Sequence, residues 1–528
     1  MRISYVESAR ITAAQPGESS VTRASAAHLN RIVILGSGLS AWMSAAALAE
    51  ALPQDKHAVT VLDDDTLGGD GDTPFGIADA TLPQDESGHI ALDLDEDGLV
   101  AACGGAFSLG IALSGWAAAD SAYFHPFGSI GANFGPLTFQ QVVMRLRSAG
   151  KTLRFSNYSL AALAAQAARF DRSGTSVGSV LSTCRHGLHL DCRKLSATMR
   201  ARAEAAGVAR IRGRYAHAVR DAGGSLLALI AEDRQRIEGE LFLDCSGPDA
   251  RLAAEGAAWQ DWSDWLPCDR VLSATVETGA PPPYSHAEAH SAGWTRHLPL
   301  QGKTVLATCY RSDAISDSQA REHLRAAAGN GELGDERAAR FRSGRRERPW
   351  EHNCIALGAA AAFIDPVGMS NLHILRAGID RLLHLLPGAA TATAEAREYN
   401  RQTALQLDHA RDFAMLHYKL NGRRGEPFWD ACRGMSIPDS LDYRQKLYEA
   451  RGRVVLYDEE PFEEASWINL FDEHGIKPRH YNPIADGIRA SELQSFVDRV
   501  RAVMITELGK MPTHADYLSG LTESSKDG

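Results

Sequence analysis

The sequence predicts an α/β fold built on a parallel sheet, and three stretches carry that prediction. Arg31-Ile32-Val33-Ile34-Leu35 is a β-branched run that leads straight into Gly36-Ser37-Gly38-Leu39-Ser40-Ala41 and an alanine-rich helix ending near Leu52. Val59-Thr60-Val61-Leu62 follows as a second strand and finishes in Asp63, Asp64 and Asp65, which completes a β-α-β unit. Further on, Asn353 to Leu357, Gly358 and the Phe363 to Ser370 segment precede a helix from about Asn371 to Leu386, a further strand-loop-helix.

The first turn has the residues that a bound nucleotide requires. In Gly36-x-Gly38-x-x-Ala41, the first glycine permits a tight turn and the second lets the backbone approach a pyrophosphate, while the small Ala41 lets helix and strand pack. The phosphates then sit on the helix N-terminus, whose first N–H groups lack intrahelical partners. Asp63 stands at the end of the next strand, where a carboxylate accepts hydrogen bonds from a ribose. A plain structural turn is the alternative reading.

Other elements are less regular. Leu241-Phe242-Leu243-Asp244 reads as a buried strand broken by Cys245-Ser246-Gly247-Pro248, and an apolar stripe marks a helix from about Lys194 to Ala206. Between Leu67 and Val180, glycine-rich loops alternate with short apolar stretches, and periodicity assigns no boundaries. From Thr391 onward the amphipathic spacing predicts mostly helix.

A chain of 528 residues exceeds the usual size of one hydrophobic core, so two interlocked lobes are expected. The net charge of −11, with acids spread along the chain, opposes nucleic acid phosphates. Arg342, Arg345, Arg346 and Arg348 read as a solvated loop before a strand. Eight cysteines without a C-x-x-C pair point to a reducing cytoplasm, and ligand spacing along the chain points to no metal site. Residues 1–28 lack a continuous apolar core and read as a disordered tail rather than a signal peptide, and no later run is long and apolar enough to span a bilayer.

Additional segments, taken in order, carry a resemblance. They are Tyr123 to Gly128, Gly187-Leu188-His189-Leu190-Asp191, Phe242 to Gly247, Phe363 to His373, Arg411-Asp412-Phe413 to His417-Tyr418, Ser466-Trp467, and Met511 to Asp516. With the first turn, this series from residue 31 to 516 resembles the flavin-dependent tryptophan halogenases. The resemblance implies a Rossmann-like FAD-binding domain of the glutathione-reductase and aromatic-hydroxylase type. That domain, discontinuous over residues 29–385, has inserted substrate-binding segments, and residues 386–528 form a helical cap. It further implies FAD as cofactor, supplied in reduced form by a separate flavin reductase, with oxygen forming a flavin C4a-hydroperoxide. The positions implied for FAD are Gly36, Gly38, Ala41, Asp63, Asp79, Asp244, Gly358, Pro366, Gly368, Met369 and Ser370.

In that family, hypohalous acid travels through a tunnel to a lysine, near a glutamate and beside the aromatic substrate, and here the sequence departs. The lysine position in Gly105-Ala106-Phe107-x-Leu109-Gly110 is Ser108, which cannot supply an amine or its charge. The glutamate position after Pro366 is Gly368. The W-x-W-x-I-P signature is Trp294-Thr295-Arg296-His297-Leu298-Pro299, and the Gly-Glu-Ala-Thr loop is Ala78-Asp79-Ala80-Thr81.

These departures fall on halogen transfer and spare the flavin landmarks. The expectation is therefore an FAD-dependent monooxygenase acting on an aromatic, indole-like group, with Ser108, Arg296 and His297 as catalytic candidates and Trp294, Phe462 and Trp467 as aromatic walls. Expected partners are a flavin reductase and an aromatic small molecule or peptide-bound aromatic residue, and a homodimer is compatible with the sequence. The alternatives are a halogenase that carries halogen on another residue, such as Lys151, and a non-catalytic flavin-binding relative. Gly38→Leu is expected to abolish FAD binding in a fluorescence titration by blocking the pyrophosphate approach, and an unchanged affinity would remove the assigned site.

Overall fold

The computed structural model describes residues 29–67, 75–83, 95–173, 179–368, 370–388 and 393–524. The tail expected at residues 1–28 and the cofactor position Met369 lie outside the described residues.

Arg31–Leu35 is an interior strand of a six-stranded sheet with the order Trp350–Glu351, Cys354–Ala356, Leu241–Asp244, Arg31–Leu35, Ala58–Asp63, Ala209–Arg212. Its two neighbours run parallel to it, and Ile32 to Leu35 are all buried because helices and loops cover both faces. Gly36 ends the strand with φ +146°, and a Cβ there would stand 2.3 Å from the Cys245 carbonyl oxygen. Only glycine permits two adjacent parallel strand ends to come so close. The Leu39–Ala51 helix begins directly beyond, buried from Leu39 to Ala49; its small side chains let it lie close against the sheet and the Cys192–Ala205 helix.

A second layer is a seven-stranded sheet with the order Gly334–Arg340, Arg270–Glu277, Lys303–Tyr310, Gly293–Leu300, Ser285–His290, Gly110–Ser114, Ala122–Pro126. Its last two strands lie in the stretch where periodicity assigns nothing. They pair with each other and, through Ile111↔Ser285, with a strand more than 170 residues later, so their partners are set by tertiary register and not by local sequence.

Gly344–Arg346 pairs with Trp259–Asp261 and Ala362–Phe363, which corrects the reading of the arginine cluster as a solvated loop. Arg345 is buried against Asp408 at 3.1 Å, and Arg346 donates to the carbonyls of Ala360 at 2.8 Å and Ala257 at 3.2 Å. Arg342 and Arg348 remain exposed. The fold supplies carbonyl and carboxylate partners that a linear sequence does not display.

A small antiparallel sheet, Ala78–Ala80, Gly187–Asp191 and Ala106–Ser108, bridges the two large ones. Asp79 on it accepts from the Arg296 guanidinium at 2.9 Å, from the Leu372 N–H at 3.1 Å and from the Ala80 N–H at 2.8 Å. One buried carboxylate thus joins the small sheet, the seven-stranded sheet and the first turn of the Asn371–His384 helix.

Beyond residue 393 the described chain is mostly helical, including Thr393–Lys419, Asp439–Arg451, Glu464–Glu473 and Ala490–Leu508. These helices share their cores with the sheets: Phe413, Trp467 and Leu493 pack in one cluster with Trp294 and Phe363. Among the described residues, no helix is long and apolar enough to cross a membrane.

Because Asp79 and Arg296 are both buried, Arg296→Met is expected to leave an uncompensated charge and cost about 3–5 kcal/mol in urea unfolding. Adding Asp79→Asn should recover part of that loss, a non-additivity that a double-mutant cycle measures directly.

Candidate active site

The cofactor end of the site is built at the tip of the Arg31–Leu35 strand. Gly38 stands at the N-cap of the Leu39–Ala51 helix and makes no side-chain hydrogen bond there, so the helix N-terminus faces this end of the site without a side-chain cap. In front of it is a cavity lined by Leu39, Ser40, Asp79, Gly358, Ala359 and Asn371. A helix N-terminus beside a glycine-lined opening fits a dinucleotide pyrophosphate. Ala41 is fully buried behind this opening, where its small side chain permits close packing.

Two acids expected to contact the cofactor have protein partners. Asp63 ends its strand, and its Oδ2 is held by Arg210 Nε at 2.6 Å, with the guanidinium lying over the Trp42 ring. Asp244 is fully buried and accepts from Ser246 Oγ at 2.6 Å and from the N–H groups of Leu252 and Ala253 at 2.8 Å. Through these bonds the carboxylate shapes the loop after its strand.

A second cavity lies across Asp79 and Arg296 from the first. Ser108, Trp294, Arg296, Pro366, Gly368 and Ser370 line it together, joining positions that the sequence separates by more than 250 residues. The Ser108 hydroxyl donates to the Gly110 carbonyl at 3.2 Å, so its lone pairs are what it offers a ligand. Ser370 caps the Asn371–His384 helix, and its hydroxyl donates to the Ala80 carbonyl.

Gly368 has φ +73°, and a Cβ there would stand 3.0 Å from Phe413 and 3.2 Å from His417. The backbone conformation and these rings leave a carboxylate side chain poorly accommodated at this position. No lysine, aspartate or glutamate is among the described residues lining the cavity. Lys151 is exposed beyond the Phe139–Ser148 helix and is not one of them.

Three sequence candidates fall elsewhere. Side chains alternate along the Gly293–Leu300 strand, so Trp294 and Arg296 face the cavity while His297 faces outward beside His286. Phe462 stacks on Phe413 with ring centroids 3.8 Å apart, and Trp467 meets Phe413 edge-on at 5.0 Å. Trp467 is also covered by the Arg444 guanidinium at 3.8 Å, so both rings belong to the core behind the cavity. Phe127 provides the additional aromatic wall instead.

His189 is a cavity residue that sequence reasoning did not single out. It is fully buried, its Nδ1 lies 3.2 Å from the Pro299 carbonyl, and its Nε2 has no hydrogen-bond partner. Burial, with the Arg296 charge second, pushes its pKa down to about 3, so the ring is neutral near pH 7. With Nδ1 donating to the carbonyl, Nε2 is an acceptor. The signal was available in Leu188-His189-Leu190, a polar residue alternating with leucines on a buried strand.

The comparisons agree with this geometry. Residues 31–490 match the family model for tryptophan halogenase. The chain belongs to the tryptophan halogenase family. It is 27% identical over 508 residues to tryptophan 6-halogenase SttH of Streptomyces toxytricini, covering 90% of this chain and 93% of that protein. The structure of Xcc4156, a flavin-dependent halogenase from Xanthomonas campestris, superposes with a TM-score of 0.88 at 35% identity, over 94% of this chain and 98% of that one. BrvH, a flavin-dependent halogenase from Brevundimonas sp. BAL3, gives 0.87 at 33% identity, over 93% and 99%. Membership makes this family protein a flavin-dependent oxidoreductase whose cofactor is FAD, received in reduced form from a separate reductase.

Asp365, at the start of the segment that carries Pro366 and Gly368, accepts from the Tyr418 hydroxyl at 2.7 Å and is pushed up to about 6 by burial. A carboxyl with a raised folded-state pKa contributes stability in full below its unfolded value, and loses it as pH rises through the folded one. Asp365→Asn is therefore expected to flatten the decline in urea-unfolding stability between pH 3.8 and about 6.

Proposed function

We propose that this protein oxygenates an aromatic, indole-like substrate held in the cavity around Ser108 and Trp294. The observation that carries the reading is the lining of that cavity: Ser108 and Gly368 occupy the positions where the family resemblance puts lysine and glutamate, and no other amine or carboxylate replaces them among the described residues. Halogen transfer through a lysine therefore has no side chain to use.

Reduced FAD supplies the two electrons that dioxygen reduction requires. One oxygen atom enters a new carbon–oxygen bond on the ring in place of a C–H bond, and the other leaves as water. The residues of this chain provide position and dryness. Trp294 and Phe127 offer flat apolar walls, His189 Nε2 and the Ser108 lone pairs accept hydrogen bonds from a ring N–H or O–H, and Arg296 is held by Asp79 beside them. Acceptors without a facing donor suit a substrate that brings its own. Eight buried cysteines, none in a disulfide, support a cytoplasmic setting.

The test is an oxygen pulse applied to anaerobically reduced, FAD-loaded protein with indole compounds, with and without chloride or bromide, followed by product mass. The expected product is heavier by one oxygen atom and indifferent to halide. A halogenated product would overturn the reading in favour of a halogenase, and an absence of any product in favour of a flavin-binding relative without turnover.

A further inference from the structure

We propose that the outer face of the seven-stranded sheet carries a binding site for a divalent transition-metal cation, with His286, Glu288 and His297 as its protein ligands. The register pairs His286 directly with His297 across adjacent antiparallel strands, and Glu288 projects from the same face two residues along. The two imidazole centroids are 5.0 Å apart, and one ligand atom from each of the three residues lies within 4.8 Å of the others. His297 Nε2 is 3.8 Å from Glu288 Oε2 and has no hydrogen-bond partner, although it is shielded from solvent. A bound cation resolves that orphaned nitrogen.

The donor set selects the class of metal. Two imidazoles and one carboxylate, with a fourth position left for water, suit zinc, cobalt or nickel, whereas calcium and magnesium take oxygen ligands. Tetrahedral bonds of about 2.0–2.2 Å place donors about 3–4 Å apart, within reach of small side-chain rotations. The Ser114 hydroxyl lies 2.8 Å from His286 Nε2 and helps to orient that ring.

The proposal departs from the expectation of no metal site drawn from linear spacing. His-x-Glu followed by a histidine nine residues on matches no familiar pattern, and the hairpin register alone assembles the set. The same two strands turn Ala287, Trp294 and Arg296 toward the cavity, and His286 borders it as well. A cation on the outer face would therefore clamp one wall of the cavity, whichever reaction occurs there.

The test uses tag-free, chelator-stripped protein titrated with Zn2+ by calorimetry and with Co2+ by visible absorption. One equivalent is expected, with a tetrahedral Co2+ band and a rise in melting temperature on Zn2+ addition. His297→Ala and Glu288→Gln should each weaken binding at least tenfold and abolish the thermal shift. His323→Ala, which alters the neighbouring stack on His290 at 4.1 Å, should leave binding intact. No stoichiometric binding, or binding that His323→Ala removes and Glu288→Gln does not, would overturn the site. Should His297→Ala fail to fold, the half-exposed Glu288→Gln decides alone, since unchanged affinity there excludes Glu288 as a ligand.

Discussion

The Asp79–Arg296 ion pair is the interaction on which the arrangement of the site depends. Asp79 belongs to the small bridging sheet, Arg296 to the seven-stranded sheet, and the same carboxylate receives the Leu372 N–H from the helix that follows the Pro366 segment. A buried pair earns little net stability by itself, but losing either partner strands a charge in a medium that solvates it poorly. The pair therefore acts as a registration point among three elements. It also stands between the two cavities, with Asp79 lining one and Arg296 the other.

Around that point the two cavities differ in what their walls offer. The first is glycine-turned and faces a helix N-terminus, through Gly36, the Leu39–Ala51 helix and the groove before it. The second has aromatic walls and, among the described residues lining it, no lysine, aspartate or glutamate. Ser108 is more than a lost amine, because its hydroxyl proton is directed to Gly110 and an acceptor remains. Gly368 is more than a lost carboxylate, because left-handed backbone and the closeness of Phe413 and His417 shape the space a longer side chain would enter. These are two mutually consistent changes within one cavity.

The Gly293–Leu300 strand shows how one element serves two surfaces. Its alternation puts Trp294 and Arg296 inward and His297 outward, so adjacent residues of one motif have unrelated environments. Arg296 is neutralised by Asp79 in a closed interior, whereas His297 joins His286 and Glu288 in a half-buried patch. The strand's pleat, fixed by hydrogen bonds to both neighbours, turns Arg296 and His297 to opposite faces of the sheet.

The sequence by itself determined the local units. A β-branched run ending in glycine, a small-residue helix and an acid at the next strand end are short-range patterns, and they appear where the residues place them. The ordered series of motifs likewise made the family and its cofactor legible, and the identities of Ser108 and Gly368 made the missing amine and carboxylate legible. Tertiary structure decided what faces what. Phe462 and Trp467 are as aromatic as Phe127, yet stacking on Phe413 and beneath Arg444 consigns them to the core. His189 became a cavity acceptor, Arg345 and Arg346 became buried, and His286, Glu288 and His297 met through pairings set by register. Such outcomes depend on contacts between residues tens to hundreds of positions apart, and a one-residue shift in a strand would reverse them; local propensity holds no record of that register.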